Sequence, residues 1–234
     1  MLPLKDNVPT RTFPVVTVGI IVVNAIVWIW EYTGTSVETD VTHYGYYPCQ
    51  IIGPCLGLAL KAQIPWYEEV FSSMFMHGGW EHIIFNMLFL WIFGNNVEDA
   101  LGRMRFFLWY VAGGLAATLV QTFVTLHWGS AQDASIPNIG ASGAIAAVLG
   151  AYFVLLPNAR VLTAIFFILI FFQELPAIFF LGFWFLFQLW QGGFSIVQPE
   201  AGGGVAFFAH IGGFVFGALT IRLVAKRRPL MPRY

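Results

Sequence analysis

Apolar residues run along this chain in long blocks rather than in the narrow stripes of a soluble helix. Blocks approaching the roughly 20 residues that cross a hydrocarbon core fall at Phe13 to Trp30, Phe71 to Phe93, Phe106 to His127, Ile139 to Leu156, Pro176 to Gln191 and Val205 to Val224. They predict six membrane-spanning helices in an all-α, polytopic bundle. A further apolar run, Val161 to Glu174, is shorter and is parted from the fifth block by Glu174-Leu175-Pro176, where proline restricts the residue before it. It reads as interfacial or re-entrant and not as a seventh span. The first block follows Lys5 and Arg11 and lacks a small-residue cleavage pattern behind it, so it reads as an uncleaved anchor. No internal repeat is evident, and the chain reads as one membrane domain, residues 13–225, between tails of residues 1–12 and 226–234.

Composition agrees. Of 234 residues, 58% are hydrophobic and 10% charged, against about 25% charged in soluble domains. With a net charge of −1 the chain has no basic surface to neutralise a run of phosphates, so nucleic acid is excluded as a partner and the lipid bilayer is implied. Basic loop residues stay on the cytoplasmic side of a membrane. Six spans put Lys5, Arg11, Arg103, Arg105, Arg160, Arg222, Lys226, Arg227, Arg228 and Arg233 on one side and only Lys61 on the other. Both termini are therefore expected to be cytoplasmic. Cys49 and Cys55 are the only cysteines, too few for a four-cysteine zinc site. A disulfide and free thiols both remain open for them.

Polar side chains inside spans are costly and mark function by default. The second block carries His77, His82 and Asn86, the fourth opens with Gly140-Ala141-Ser142-Gly143, and the sixth carries His210. At ~1.5 Å per residue, Ser142 lies about 27 Å above Arg160, His210 about 24 Å above Lys226, and His82 about 24 Å above Glu98. The three belong to one layer near the outer face. Gly143, Ala147 and Ala151 in the fourth block, and Gly213 and Gly217 in the sixth, give small residues at four-residue spacing, which lets two helices approach closely. That approach brings the His210 imidazole to the Ser142 hydroxyl. A hydroxyl becomes a useful nucleophile when a positioned base takes its proton, and no carboxylate lies at this depth, so a Ser–His dyad is expected. His82 and Asn86, at i and i+4 on one helix face, with the Ser142 backbone amide, are candidate donors to a developing oxyanion.

The segments His77-Gly-Gly-Trp-Glu-His82-Ile-Ile-Phe-Asn86, Gly140-Ala-Ser142-Gly143 and Ala209-His210-Ile-Gly-Gly213-Phe-Val-Phe-Gly217 resemble, in order, the H-x4-H-x3-N, GxSG and AHxxGxxxG motifs of rhomboid intramembrane serine proteases. The resemblance covers almost the whole chain. It implies a six-helix bundle in the cell membrane with a water-filled cavity opening outward, hydrolysing single-pass membrane proteins in or near their transmembrane segments, without cofactor or metal. By position it implies Ser142 as nucleophile, His210 as base, His82 and Asn86 as oxyanion donors, a structural role for His77, and Glu98 as an anchor of its helix end. Two departures stand out: Ala146 occupies a position where many members pack an aromatic residue on the catalytic imidazole, and Pro65-Trp-Tyr-Glu-Glu69 occupies the stretch where some members have a Trp-Arg pair.

Competing readings carry less. Ser142 between glycines could be a helix cap, but a cap does not account for His210 at the same depth. His77, Glu81 and His82 resemble a zinc motif stretched by one residue, yet the two histidines would not share a helix face. A transporter would string its polar groups through the midplane, whereas here they gather near one end. His43 and His127 lie in a loop and at a block end, where solvated roles are expected.

Overall fold

The computed structural model describes residues 1–34, 36–53, 55–57, 64–166, 169–197, 206–227 and 229–230. Lys61, Arg228 and Arg233, used above for orientation, lie outside the described residues. The helices are α1 (Val15–Thr33), α2 (Val37–Tyr44), α3 (Trp66–Ser72), α4 (Trp80–Leu101), α5 (Arg103–Trp128), α6 (Ala131–Ala134), α7 (Ser142–Leu155), α8 (Ala177–Val197) and α9 (Phe207–Val224). The strands are β1 (Leu2–Asp6), β2 (Arg160–Phe166) and β3 (Ile170–Pro176).

Each of the six expected spans has a helical counterpart, and four of these, α1, α5, α8 and α9, are long and apolar enough to cross a membrane. The protein is a multi-span membrane protein. The other two helices differ from a plain apolar span. α7 has only 14 residues, and α4 carries His82, Asn86, Asn95, Asn96 and Glu98 along its length. The second expected block is also not one helix from Phe71: α3 ends at Ser72 and α4 starts at Trp80. Gly78 and Gly79 break it, since glycine is poor in helix interiors, and His77 consequently sits in the connecting loop.

The all-α expectation is incomplete. The described residues of the run Val161 to Glu174 are strand and not helix: β2 pairs antiparallel with β3, with Val161 opposite Leu175 and Ala164 opposite Phe172. β2 also pairs with β1, giving a sheet ordered β1-β2-β3. The expected N-terminal tail is thus partly a strand. Val161, Thr163 and Ala164 are buried while all of Ile170 to Glu174 is exposed, so one strand meets the protein and the other faces outward. Asp6, at the end of β1, accepts hydrogen bonds from Asn96 of α4 (2.8 Å) and the Tyr152 hydroxyl of α7 (2.6 Å). Burial pushes its carboxyl up to about 6, with the Tyr152 bond opposing.

The core runs through α4, α5, α7 and α9, with Phe93, Phe106, Leu149, Tyr152 and Ile221 fully buried. Outward faces of α1, α8 and α9 are aliphatic and aromatic, including Ile26, Phe179, Leu186 and Leu219, as lipid contact requires. On the opposite side from the sheet, Cys49 and Cys55 are joined in a disulfide, which resolves the open choice between bond and thiols. Nearby, Glu69 of α3 is fully buried and accepts from Gln50 at 2.8 Å. Burial raises its carboxyl to about 7, against the lowering effect of the Gln50 bond.

Candidate active site

The turn into α7 is built around Gly140. Its φ of +106° is a backbone conformation open to glycine, and its N–H donates to the Ser73 carbonyl at 2.8 Å. Two residues before it, Asn138 exchanges backbone hydrogen bonds with Tyr46 at 2.8 and 3.2 Å. The entry to the helix is therefore pinned from both neighbouring segments. The N-cap is Ala141, without a side-chain cap bond. Ser142 is the first helical residue rather than the cap, and its hydroxyl is turned elsewhere: Oγ lies 2.9 Å from His210 Nε2.

That distance depends on how closely α7 and α9 approach. A Cβ at Gly213 would fall on the Gly143 carbonyl oxygen, one at Gly217 on the Ala147 carbonyl oxygen, and one at Gly150 on the Phe214 carbonyl oxygen. The two helices touch backbone to backbone through three glycines. Gly143 faces the other way and meets α5, where an added Cβ would lie 2.7 Å from the Ala117 Cβ. Ala146 faces Gly213, at 3.1 Å from where a Cβ would stand, and is fully buried. The space an aromatic residue would need at this position is filled by α9.

His210 finds its other partners on α8. Nδ1 lies 2.8 Å from Gln188 Oε1, and the Trp184 ring packs beside the imidazole at a centroid distance of 5.8 Å. A carbonyl oxygen only accepts, so Nδ1 carries the proton, Nε2 is the free lone pair, and the Ser142 hydroxyl donates to it. Neither Gln188 nor Trp184 was singled out by motif or spacing. The signal for Gln188 was present all the same, as a lone polar residue in the aromatic run Phe183 to Trp190.

His82 and Asn86 reach the same place from α4. A Cβ on Gly140 would be 2.6 Å from His82 Nε2 and 3.5 Å from Asn86 Nδ2, which sets both side chains against the turn that carries Ser142. Asn86 Nδ2 also lies 3.1 Å from His77 Nε2. His77 Nδ1 donates to the Phe75 carbonyl at 3.0 Å, so its Nε2 accepts and Asn86 retains one N–H for another acceptor. His77 itself is fully buried, spends both ring nitrogens on the protein, and gives its backbone N–H to Glu31 of α1 at 3.2 Å. A cavity beside Ser142 is lined by Met74, Gly114, Ala117 and Gly143.

Glu98 lies far from this layer, near the end of α4. Its carboxylate accepts from the backbone of Val16 (3.1 Å) and Thr17 (2.7 Å) and from the Thr17 hydroxyl (2.8 Å). It caps the start of α1, where free amides and the helix dipole favour an anion. His127 bonds the Phe123 carbonyl within its own helix, and His43 meets the Tyr44 ring edge-on. Neither joins the cluster.

The Rhomboid domain family model matches residues 65–227. Rhomboid protein 1, mitochondrial, of Saccharomyces cerevisiae is 31% identical over 164 residues, 68% of this chain and 42% of the yeast protein. The presenilin-associated rhomboid-like protein, mitochondrial, of Bos taurus is 31% identical over 151 residues, 62% of this chain and 35% of that protein. Rhomboid protease GluP of Bacillus subtilis is 36% identical over 103 residues, 44% of this chain and 18% of that protein. The chain matches less than half the length of each of these relatives. With the family model covering well over half of its residues, the chain belongs to the rhomboid family.

Proposed function

We propose that this protein is an intramembrane serine endopeptidase that cleaves membrane proteins in or near their transmembrane segments. The observation that carries this reading is the 2.9 Å approach of Ser142 Oγ to His210 Nε2, in a layer where His82 and Asn86 also converge. In the reaction, Oγ attacks the scissile carbonyl carbon while its proton passes to Nε2. The carbonyl electrons move onto oxygen. His82, the second N–H of Asn86 and the Ser142 amide then stabilise that oxyanion, a contribution made mainly in the transition state. Collapse expels the amine, which takes the proton from Nε2, and water deacylates the serine by the same steps in reverse order of roles. Small residues beside Ser142 suit a small side chain next to the scissile bond.

A 14-residue α7 spans about 21 Å at ~1.5 Å per residue, less than the ~30 Å of a hydrocarbon core. Ser142 at its start therefore lies inside the bilayer, in a cavity opening to the outer side, when Arg160 and the residues beyond α9 mark the inner side. With six crossings both tails, residues 1–12 and 226–234, lie on the side rich in Lys and Arg, the cytoplasm for a cell membrane. Substrates are single-pass membrane proteins.

The decisive experiment is labelling with a serine-directed fluorophosphonate in detergent. Wild type is expected to label and Ser142→Ala to remain unlabelled, with cleavage of a single-pass substrate lost in parallel. Cleavage by Ser142→Ala within tenfold of wild type would refute the serine mechanism.

A further inference from the structure

We infer that Gln188 is the positioning residue of the catalytic base: it fixes the tautomer and ring orientation of His210 through Nδ1, in the place where a carboxylate would stand in a triad. The inference rests on the serine-protease reading above and concerns how that site works without an aromatic residue at position 146.

Four observations meet here. Gln188 Oε1 is 2.8 Å from His210 Nδ1. The Gln188 side chain is buried, with 6% of its surface exposed, so water does not compete freely for the imidazole proton. Trp184, one helical turn earlier on α8, lies against the ring. Ala146 cannot perform either task, since it has no ring and is covered by α9. Both constraints on His210 therefore come from α8, although the nucleophile and base sit on α7 and α9.

The chemistry follows from what an amide oxygen can do. A neutral imidazole holds one proton, on either nitrogen. If it sits on Nε2, the histidine cannot accept the serine proton. An acceptor at Nδ1 draws it to that side and leaves Nε2 free. A glutamine does this without charge, so it selects the tautomer but gives the imidazolium formed during attack only a dipole, where a carboxylate gives a full charge. The site therefore has a correctly set base of modest strength.

The experiment uses the full-length protein in detergent and three measurements. Nitrogen-15 histidine spectra of wild type are expected to show His210 protonated on Nδ1, with an Nε2-protonated population rising in Gln188→Leu. Fluorophosphonate labelling of Ser142 is expected to slow by about three- to tenfold in Gln188→Leu, the value of one net hydrogen bond. In Gln188→Glu, labelling is retained and the acidic limb of its pH profile moves to higher pH by at least about one pH unit, because an adjacent carboxylate favours the imidazolium. A residue 188 that does not face Nδ1 would change stability without moving that limb. Wild-type His210 found with its proton on Nε2 overturns the inference even if Gln188→Leu fails to fold, as does an unshifted limb in Gln188→Glu. Failure of the underlying reading looks different: wild type would not label at Ser142 at all, whatever the tautomer.

Discussion

Replacing Gly140 with alanine tests the oxyanion site without touching any group that reacts. The added methyl would stand 2.6 Å from His82 Nε2 and 2.8 Å from His82 Cε1. Ordinary contact begins near 3.4 Å, so the ring tip must retreat by about 0.8 Å, a misplacement that close to 1 Å can cost on the order of 10²-fold in rate. The imidazole can swing on its χ angles, so the methyl displaces the donor rather than the helix. Alanine at a φ of +106° adds backbone strain of about 1–3 kcal/mol, visible as a melting temperature lower by several degrees. Steady-state cleavage of a single-pass substrate should show kcat reduced about 10- to 100-fold with KM little changed, because the donor acts on the transition state. Gly182→Ala is the control, since its methyl meets only Phe153 Cε2 at 3.7 Å, and it should keep both rate and melting temperature. If Gly140→Ala keeps full kcat, or loses only substrate affinity, His82 is not placed as an oxyanion donor.

Three further outcomes are expected. Asn86→Ala should lower turnover by ~10²–10³ while substrate binding persists, read from the split between kcat and KM. Gly217→Leu drives a side chain onto the Ala147 carbonyl, and overpacking of this kind costs about 1–3 kcal/mol; it should abolish fluorophosphonate labelling in a protein that still inserts. Glu69→Gln should change the pH dependence of stability measured by thermal unfolding. A carboxyl raised from 4.5 to about 7 in the fold stabilises below pH 4.5 and loses that contribution as pH rises through 7. The variant should therefore gain roughly 1–3 kcal/mol over wild type at pH 8 and gain little at pH 4.

Helices α1, α5, α8 and α9 were legible in the sequence because their lipid-facing and core-facing sides are both apolar, so length alone marks them. Ser142, His210 and His82 were legible for the opposite reason: polar groups inside such blocks stand out, although the helical count from Ser142 to Arg160 overran α7, which ends at Leu155 with Arg160 in β2. The β2–β3 pair was not legible. A strand with one face on the protein and a partner strand exposed along Ile170 to Glu174 shows no clean alternation, and a short apolar run does not distinguish strand from helix. Gln188 escaped for want of a motif, although its isolation among aromatic residues obeys the same rule that exposed His210. Gly140 was visible as part of a signature, but its purpose, to leave room for His82, depends on a contact between α4 and the turn before α7 that no local pattern encodes.

The capping of α1 by Glu98 has a consequence for how the chain assembles during synthesis. The amides of Val16 and Thr17 wait for a carboxylate more than 80 residues downstream, and at roughly 5–20 residues per second that is several seconds of elongation. Through that interval the Val16 and Thr17 amides are without Glu98, while Val15 and Val18 already bond the Phe13 and Pro14 carbonyls. That end of α1 can be capped only after α4 has been made through Glu98. A helix made before α4 is thus seated only after it, and the order of the polypeptide is not the order of the bundle.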